Sequence, residues 1–173
     1  MDRPPIMMYV IVGGILEDST VDKKWLCLFT VLLFLTASVP LMAQSNEVMD
    51  DFLEEEKATF GKTAYFTLLA VNLVSEDASI DQALSTLSEQ GWGVKVKKAD
   101  DTINMGELSF LIMRALDIPG GLMYRIAPGP RYASRELVFL GIVPGRNRPG
   151  RIPAGDEVLS ILGRALEWKE ERS

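Results

Sequence analysis

The sequence predicts an all-α fold: a small helical bundle of two helix–loop–helix repeats plus N-terminal helices, preceded by a signal peptide. Three observations carry that expectation. Apolar residues recur at helical rather than strand spacing through the second half of the chain. A strongly apolar stretch with a basic start lies near the N-terminus. The chain also matches itself when displaced by fifty positions without a gap.

A length of 173 residues suits one domain plus a targeting segment. The formal charge of −6 argues against nucleic acid as a partner, because such binders need a broad basic surface. With no histidine, the commonest general base and metal ligand is missing, and one cysteine, Cys27, allows no disulfide within the chain. No metal site and no cofactor are expected.

Lys23 and Lys24 open a run from Trp25 through Ala37 that is nearly free of polar residues. Pro40 breaks it and Ala43 closes it with a small residue, so residues 23–43 have the layout of a signal peptide cleaved after Ala43. An uncleaved inner-membrane anchor over residues 25–43 is the alternative. Cys27 lies at the start of the run, the wrong end for lipid attachment. Residues 1–22 precede the lysines at unusual length, which suggests a translation start assigned too far upstream, with a longer leader as the alternative. The product is thus expected in the periplasm or cell envelope, touching a membrane only through an uncleaved signal segment.

Residues 44–78 read as an N-terminal helical segment. Ser45 or Asn46 can cap a helix with Met49, Phe52 and Leu53 on one apolar face. Asp50, Asp51, Glu54, Glu55 and Glu56 make its other face, which reads as solvated. A second helix from about Thr63 to Val74 lacks a polar stripe and should be deeply buried. Residues 79–118 form the first repeat. Ser79 caps a helix stopped at Gly91, a loop runs to Asp101, and a helix covers about Asn104 to Leu116. Residues 119–131 are a linker, with Leu122 to Ile126 as a strand or extended piece and Pro128-Gly129-Pro130 as a turn. Residues 132–173 form the second repeat, with helices from Tyr132 to Leu140 and from Asp156 to Trp168 and a stop at Gly141.

Displacement by fifty positions places Ala83 on Ala133, Leu87 on Leu137, Gly91 on Gly141 and Glu107 on Glu157. It also places Arg114-Ala115-Leu116 on Arg164-Ala165-Leu166. The matches fall at apolar contact positions, at a helix-stopping glycine, and at one acid and one base about two turns apart. Neither unit can bury its apolar faces alone.

These units resemble the S-layer homology repeat, a family with Ala-Ile-x-x-Leu, a Gly-Ile pair, a glycine-bearing loop, and Ile-Thr-Arg-Ala-Glu opening a helix that ends in Arg-Ala-Leu. Tyr132 to Gly145 and Glu157 to Leu166 carry the resemblance in the second unit; Ala83 to Gly91 and Ile103 to Leu116 carry it in the first. It implies a helical scaffold, often three repeats in a pseudo-threefold bundle, and attachment to a cell-wall polymer. The family's Thr-Arg pair is Asn104-Met105 here, and Ala154-Gly155 in the other unit, so the scaffold is kept while a principal polymer contact is lost. Residues 46–75 would then serve as a worn third unit or its replacement.

Glu107 with Arg114, and Glu157 with Arg164, lie seven apart, too distant for a direct pair, so a capping acid and a loop-tying arginine are expected in each unit. The loops between helices are basic: Lys95, Lys97 and Lys98 in the first, Arg146, Arg148 and Arg151 in the second. They predict positive charge gathered at one end, facing an anionic envelope polymer, with Trp92 and Tyr132 to stack on sugar rings. An ordinary solvated loop is the plainer reading of the same residues. Acid pairs such as Asp100-Asp101 come with no nucleophile, and Pro119-Gly120-Gly121 lacks the Gly-Lys-Ser/Thr ending of a phosphate loop. The expected function is non-catalytic: binding or scaffolding at the envelope, through cell-wall glycan or, alternatively, through another envelope protein.

Overall fold

The computed structural model describes residues 41–146 and 148–172, with side chains from residue 47 onward. Residues 1–40, and with them most of the expected targeting segment, lie outside the described residues. The described chain is helical: α1 (Leu41–Leu53), α2 (Phe60–Ala70), α3 (Ile80–Glu89), α4 (Met105–Ala115), α5 (Leu122–Ile126), α6 (Pro130–Phe139) and α7 (Gly155–Glu170). Its only β feature is an isolated antiparallel bridge between Thr59 and Thr102. Among the described residues no helix is long and apolar enough to cross a membrane.

The helices form where local chemistry favours them. Ser79 with Gln82, and Asn104 with Glu107, make reciprocal capping boxes at the starts of α3 and α4. Gly91 and Gly141 take φ of 63° and 76°, the left-handed turn at which a side chain is costly. Two further stops use Asn72 (φ 57°) and Asp117 (φ 48°), with Leu73 and Ile118 N–H returning to the Leu68 and Met113 carbonyls. These non-glycine stops end α2 and α4 earlier than apolar spacing suggests.

Three of the helices occupy the centre. α2, α4 and α7 touch one another, and each also packs on an outer helix: α2 on α3, α4 on α6, α7 on α1. Three helix–loop–helix units (α1–α2, α3–α4, α6–α7) are therefore arranged in a cycle, each inner helix leaning on the outer helix of the next unit. The core is continuous, from Phe52, Phe60 and Leu68 through Ile103, Leu108 and Leu111 to Leu137, Val158 and Ile161.

Backbone hydrogen bonds repeat around the cycle. The first N–H groups of α2, from Phe60 and Gly61, donate to the Asp101 and Ala99 carbonyls at 2.7 and 2.9 Å. Those of α4, from Met105 and Gly106, donate to Arg151 and Pro149 at 2.7 and 2.8 Å. That of α7, from Gly155, donates to Glu55 at 2.9 Å. Helix starts leave N–H groups without intrahelical partners, and here the neighbouring unit's loop supplies the acceptors. Two residues before each inner helix, a buried residue faces the centre. Ala58 N–H donates to Pro153 O at 2.8 Å and Ile103 N–H donates to Ala58 O at 3.1 Å. A third bond would need an N–H on Pro153, which proline lacks.

Glycine lets these starts come close. A Cβ on Gly61 would lie 2.7 Å from Ile80 and 2.9 Å from Ala99, and one on Gly106 would lie 3.2 Å from Pro130 and from Pro149. Ile80 with Pro130 and Ala99 with Pro149 are themselves fifty positions apart, so the same contact recurs at successive seams.

Two sequence expectations are corrected. Leu122–Ile126 is a short helix, not a strand or extended linker, because Arg125 and Ala127 N–H return to the Gly121 and Met123 carbonyls. The face assigned to α1 is too wide: Phe52 is buried, but Met49 and Leu53 are 41% and 44% exposed. α1 rests on α7 and, through Phe52 stacked on Phe66, on α2, and it buries only a narrow stripe.

Candidate functional site

The cyclic arrangement brings the loops 54–59, 90–104 and 140–154 together at one end, where the inner helices begin. The basic residues expected as a site lie there. Two are engaged in ion pairs of one design. Lys97 Nζ meets Glu107 Oε2 at 2.7 Å and donates to the Thr102 carbonyl. Arg151 grips Glu157 with both guanidinium ends, at 2.6 and 2.5 Å. Each acid is the third residue of its inner helix. In the unit before them the same pair appears with its charges exchanged: Lys62, third in α2, meets Glu55 of the loop at 2.9 Å. The three pairs strap loop to helix in every unit, which accounts for Lys97 and Arg151 without any ligand.

The Arg151 bond holds the Glu157 carboxyl below its ordinary 4.5 and, in the same way, raises the arginine. A depressed carboxyl contributes stability above its unfolded value, and that contribution disappears as pH falls through the native value. Both groups are partly exposed, so solvent limits the gain to about 1 kcal/mol or less. Glu157→Gln is therefore expected to lower unfolding free energy by that amount at pH 7. The gap between variant and wild type should close in urea titrations carried well below pH 4.5. A gap that stays constant with pH would show that the pair does not strap the loop.

Lys95, Lys98, Arg146 and Arg148 are exposed and make no ion pair among the described residues. Lys95, Lys97 and Lys98 border a shallow open depression with Asp101 and Thr102. Positive charge is not segregated there, because Glu54, Glu56, Asp100, Asp101 and Asp156 lie in or beside the same loops. Trp92 and Tyr132, expected as sugar platforms, are both half-buried and pack against the core. Trp92 occupies the position of Ile142 in the second unit, which is buried outright.

The matched acids and bases differ between the units. Glu107 completes a capping box with Asn104, but Glu157 cannot, because Ala154 offers no side-chain acceptor. Arg164 donates to the Ile142 carbonyl at 3.1 Å and to Ser160 Oγ at 2.7 Å. Arg114 instead lies over the Phe110 ring, 5.2 Å from its centre, and its Nε is buried without a hydrogen-bond partner.

A second cavity, of about 320 Å³, adjoins that arginine at the far end of α4. Arg114, Asp117, Tyr124 and Arg125 line it together with Met113, Ile118 and Pro119. Tyr124 is only 7% exposed and its hydroxyl also has no partner. Burial raises the Tyr124 pKa, and the nearby Arg114 charge partly offsets that rise. Sequence reasoning missed this cavity because it treated residues 119–131 as a linker. The signal was a tyrosine and an arginine in an apolar run directly after Pro-Gly-Gly. Among the described residues, no cluster of acids or cysteine is placed to hold a metal ion. Compared with protein families, curated proteins and solved structures, the chain matches none of them.

Proposed function

We propose that this protein is exported and acts as a non-catalytic binding or scaffolding module of the cell envelope, attached to peptidoglycan or cell-wall glycan. The observation that carries the reading is the cycle of three helix–loop–helix units joined by recurring backbone bonds at the inner-helix starts. It is the frame that resemblance to the S-layer homology repeat implies, with residues 41–70 as the third unit. Lys95, Lys98, Arg146 and Arg148, exposed at the loop end, are the groups available to an anionic polymer.

The test is retention of the protein on isolated cell wall across a salt series. Retention is expected at low salt, declining as ionic strength rises. Replacing Lys95, Lys98, Arg146 and Arg148 together by alanine should abolish most of it, while Lys97 and Arg151 stay to preserve the loop straps. Equal retention of wild type and variant would end the wall reading.

A second reading, attachment to an envelope protein, is favoured by one observation. Leu122 and Ile126 on α5 are each 70% exposed, and Phe139 on α6 is 83% exposed. Single exposed apolar residues are ordinary, but several on one short segment suit a partner's apolar surface. Such a complex would tolerate salt and weaken in Leu122→Ser with Ile126→Ser, which separates it from polymer binding.

A further inference from the structure

We propose that the outer face of the α5–α6 hairpin seats on an anionic phospholipid surface, with Leu122, Ile126 and Phe139 entering the acyl boundary and Arg125, Arg131 and Arg135 at the headgroups. The proposal does not rest on wall attachment, since none of the four cations assigned to the wall belongs to this face. It starts from a helix that turns its aliphatic side outward. In α5, Tyr124 is buried against Phe110. With about 3.6 residues per turn, the positions two before and two after it fall nearly opposite. They hold Leu122 and Ile126, each 70% exposed, and Met123 beside them is 54% exposed.

α6 continues the face. It packs on α4 and buries Ala133, Ser134 and Leu137. Arg131, Arg135 and Phe139, spaced by four, run as a stripe along its other side, and all three are exposed, Phe139 to 83%. The helices join through the Pro128-Gly129 turn. Gly121, at the start of α5, lies beside Glu136 in the last turn of α6, where an added Cβ would be 2.8 Å from the carboxylate. The two outer faces are therefore parts of one hairpin.

Charge selects what covers it. Between Asp117 and Glu136 the sequence has three arginines and no acid, in a chain whose formal charge is −6. None of the three makes an ion pair among the described residues. A basic, apolar face on an acidic protein matches an anionic surface with hydrocarbon beneath it. Arginine stems can reach the headgroups while the neighbouring apolar side chains go deeper. A second copy joined by a twofold axis would instead set these arginines against one another. An envelope protein would need pits shaped to side chains that project this far, and a fluid bilayer does not.

Vesicle flotation tests the face, comparing phosphatidylcholine alone with an equal mixture of phosphatidylcholine and phosphatidylglycerol. The chain from Gln44 onward is the form to use: it holds every core residue of the described chain, Phe52 to Ala165, and omits the apolar run of residues 25–39. It should bind the mixed vesicles, bind phosphatidylcholine far more weakly, and release as salt rises. Replacing Arg125, Arg131 and Arg135 by glutamine should cost about fivefold in affinity for each arginine. Leu122→Ser with Ile126→Ser should cost about tenfold or more. Thermal midpoints should stay at the wild-type value, because the replaced side chains are exposed. In the full chain, a polarity-sensitive dye attached through Ile126→Cys, with Cys27→Ser, should shift its emission to the blue on mixed vesicles, while one attached through Asp81→Cys should not. An unshifted dye at residue 126, equal binding to both vesicle types, or undiminished binding by either folded variant would each overturn the proposal. So would absence of vesicle binding, which returns the face to a protein partner: a second copy if sedimentation shows a dimer that the two serines break.

Discussion

Gly155→Ala is expected to destabilise the fold by about 3 kcal/mol or more, although alanine ordinarily favours a helix. The added Cβ would lie 1.7 Å from the Phe52 carbonyl oxygen and 2.8 Å from its carbon. That neighbour is backbone, so no rotamer change relieves the overlap. α1 would have to retreat from α7, loosening the bond from Gly155 N–H to Glu55 O as well. Gly163, in the same helix, has nothing within 4 Å of its added Cβ, so Gly163→Ala should be neutral or stabilise by up to about 1 kcal/mol. Urea unfolding of both variants gives the comparison. A Gly155→Ala protein as stable as the wild type would mean that α1 does not seat on α7.

Phe52→Ala should cost about 3–5 kcal/mol, the range for an aromatic removed from a packed core. Phe52 is fully buried and stacks on Phe66 with ring centres 5.2 Å apart. Its helix neighbours Met49 and Leu53, which are largely exposed, should change stability by no more than about 0.5 kcal/mol when replaced by alanine. Because Phe52 touches the Gly155 position, the double variant should lose less than the sum of the singles. Equal costs at residues 49, 52 and 53 would contradict the narrow stripe that joins α1 to the bundle.

The helical class and the fifty-residue displacement were legible because they rest on local signals. Gly91 and Gly141 announce left-handed stops, and Ser79 and Asn104 announce capped starts, each within a few residues. The third unit was not legible as a copy. Its loop is shorter, and its inner helix opens with Phe60-Gly61-Lys62 in place of Met105-Gly106-Glu107, so the ion pair there runs in reverse. The basic loops could be seen, but the engagement of Lys97 and Arg151 could not, since their acids lie ten and six residues away across a fold-dependent turn. Leu122–Ile126 was misread because five apolar-rich residues are too few to show a period. The Tyr124 cavity went unseen for the same reason.

The bonds at the inner-helix starts have a consequence for how such a chain can change its copy number. Solenoids stack repeats along an open line, so a copy can be gained or lost at either end with modest penalty. In this protein every copy lends carbonyls to one neighbour and takes them from the other, with Gly155 N–H returning to Glu55 to shut the circuit. A fourth copy would have no berth, and deleting one would strand N–H groups on the survivors. A circuit of three units is therefore closed to extension in a way that an open stack is not.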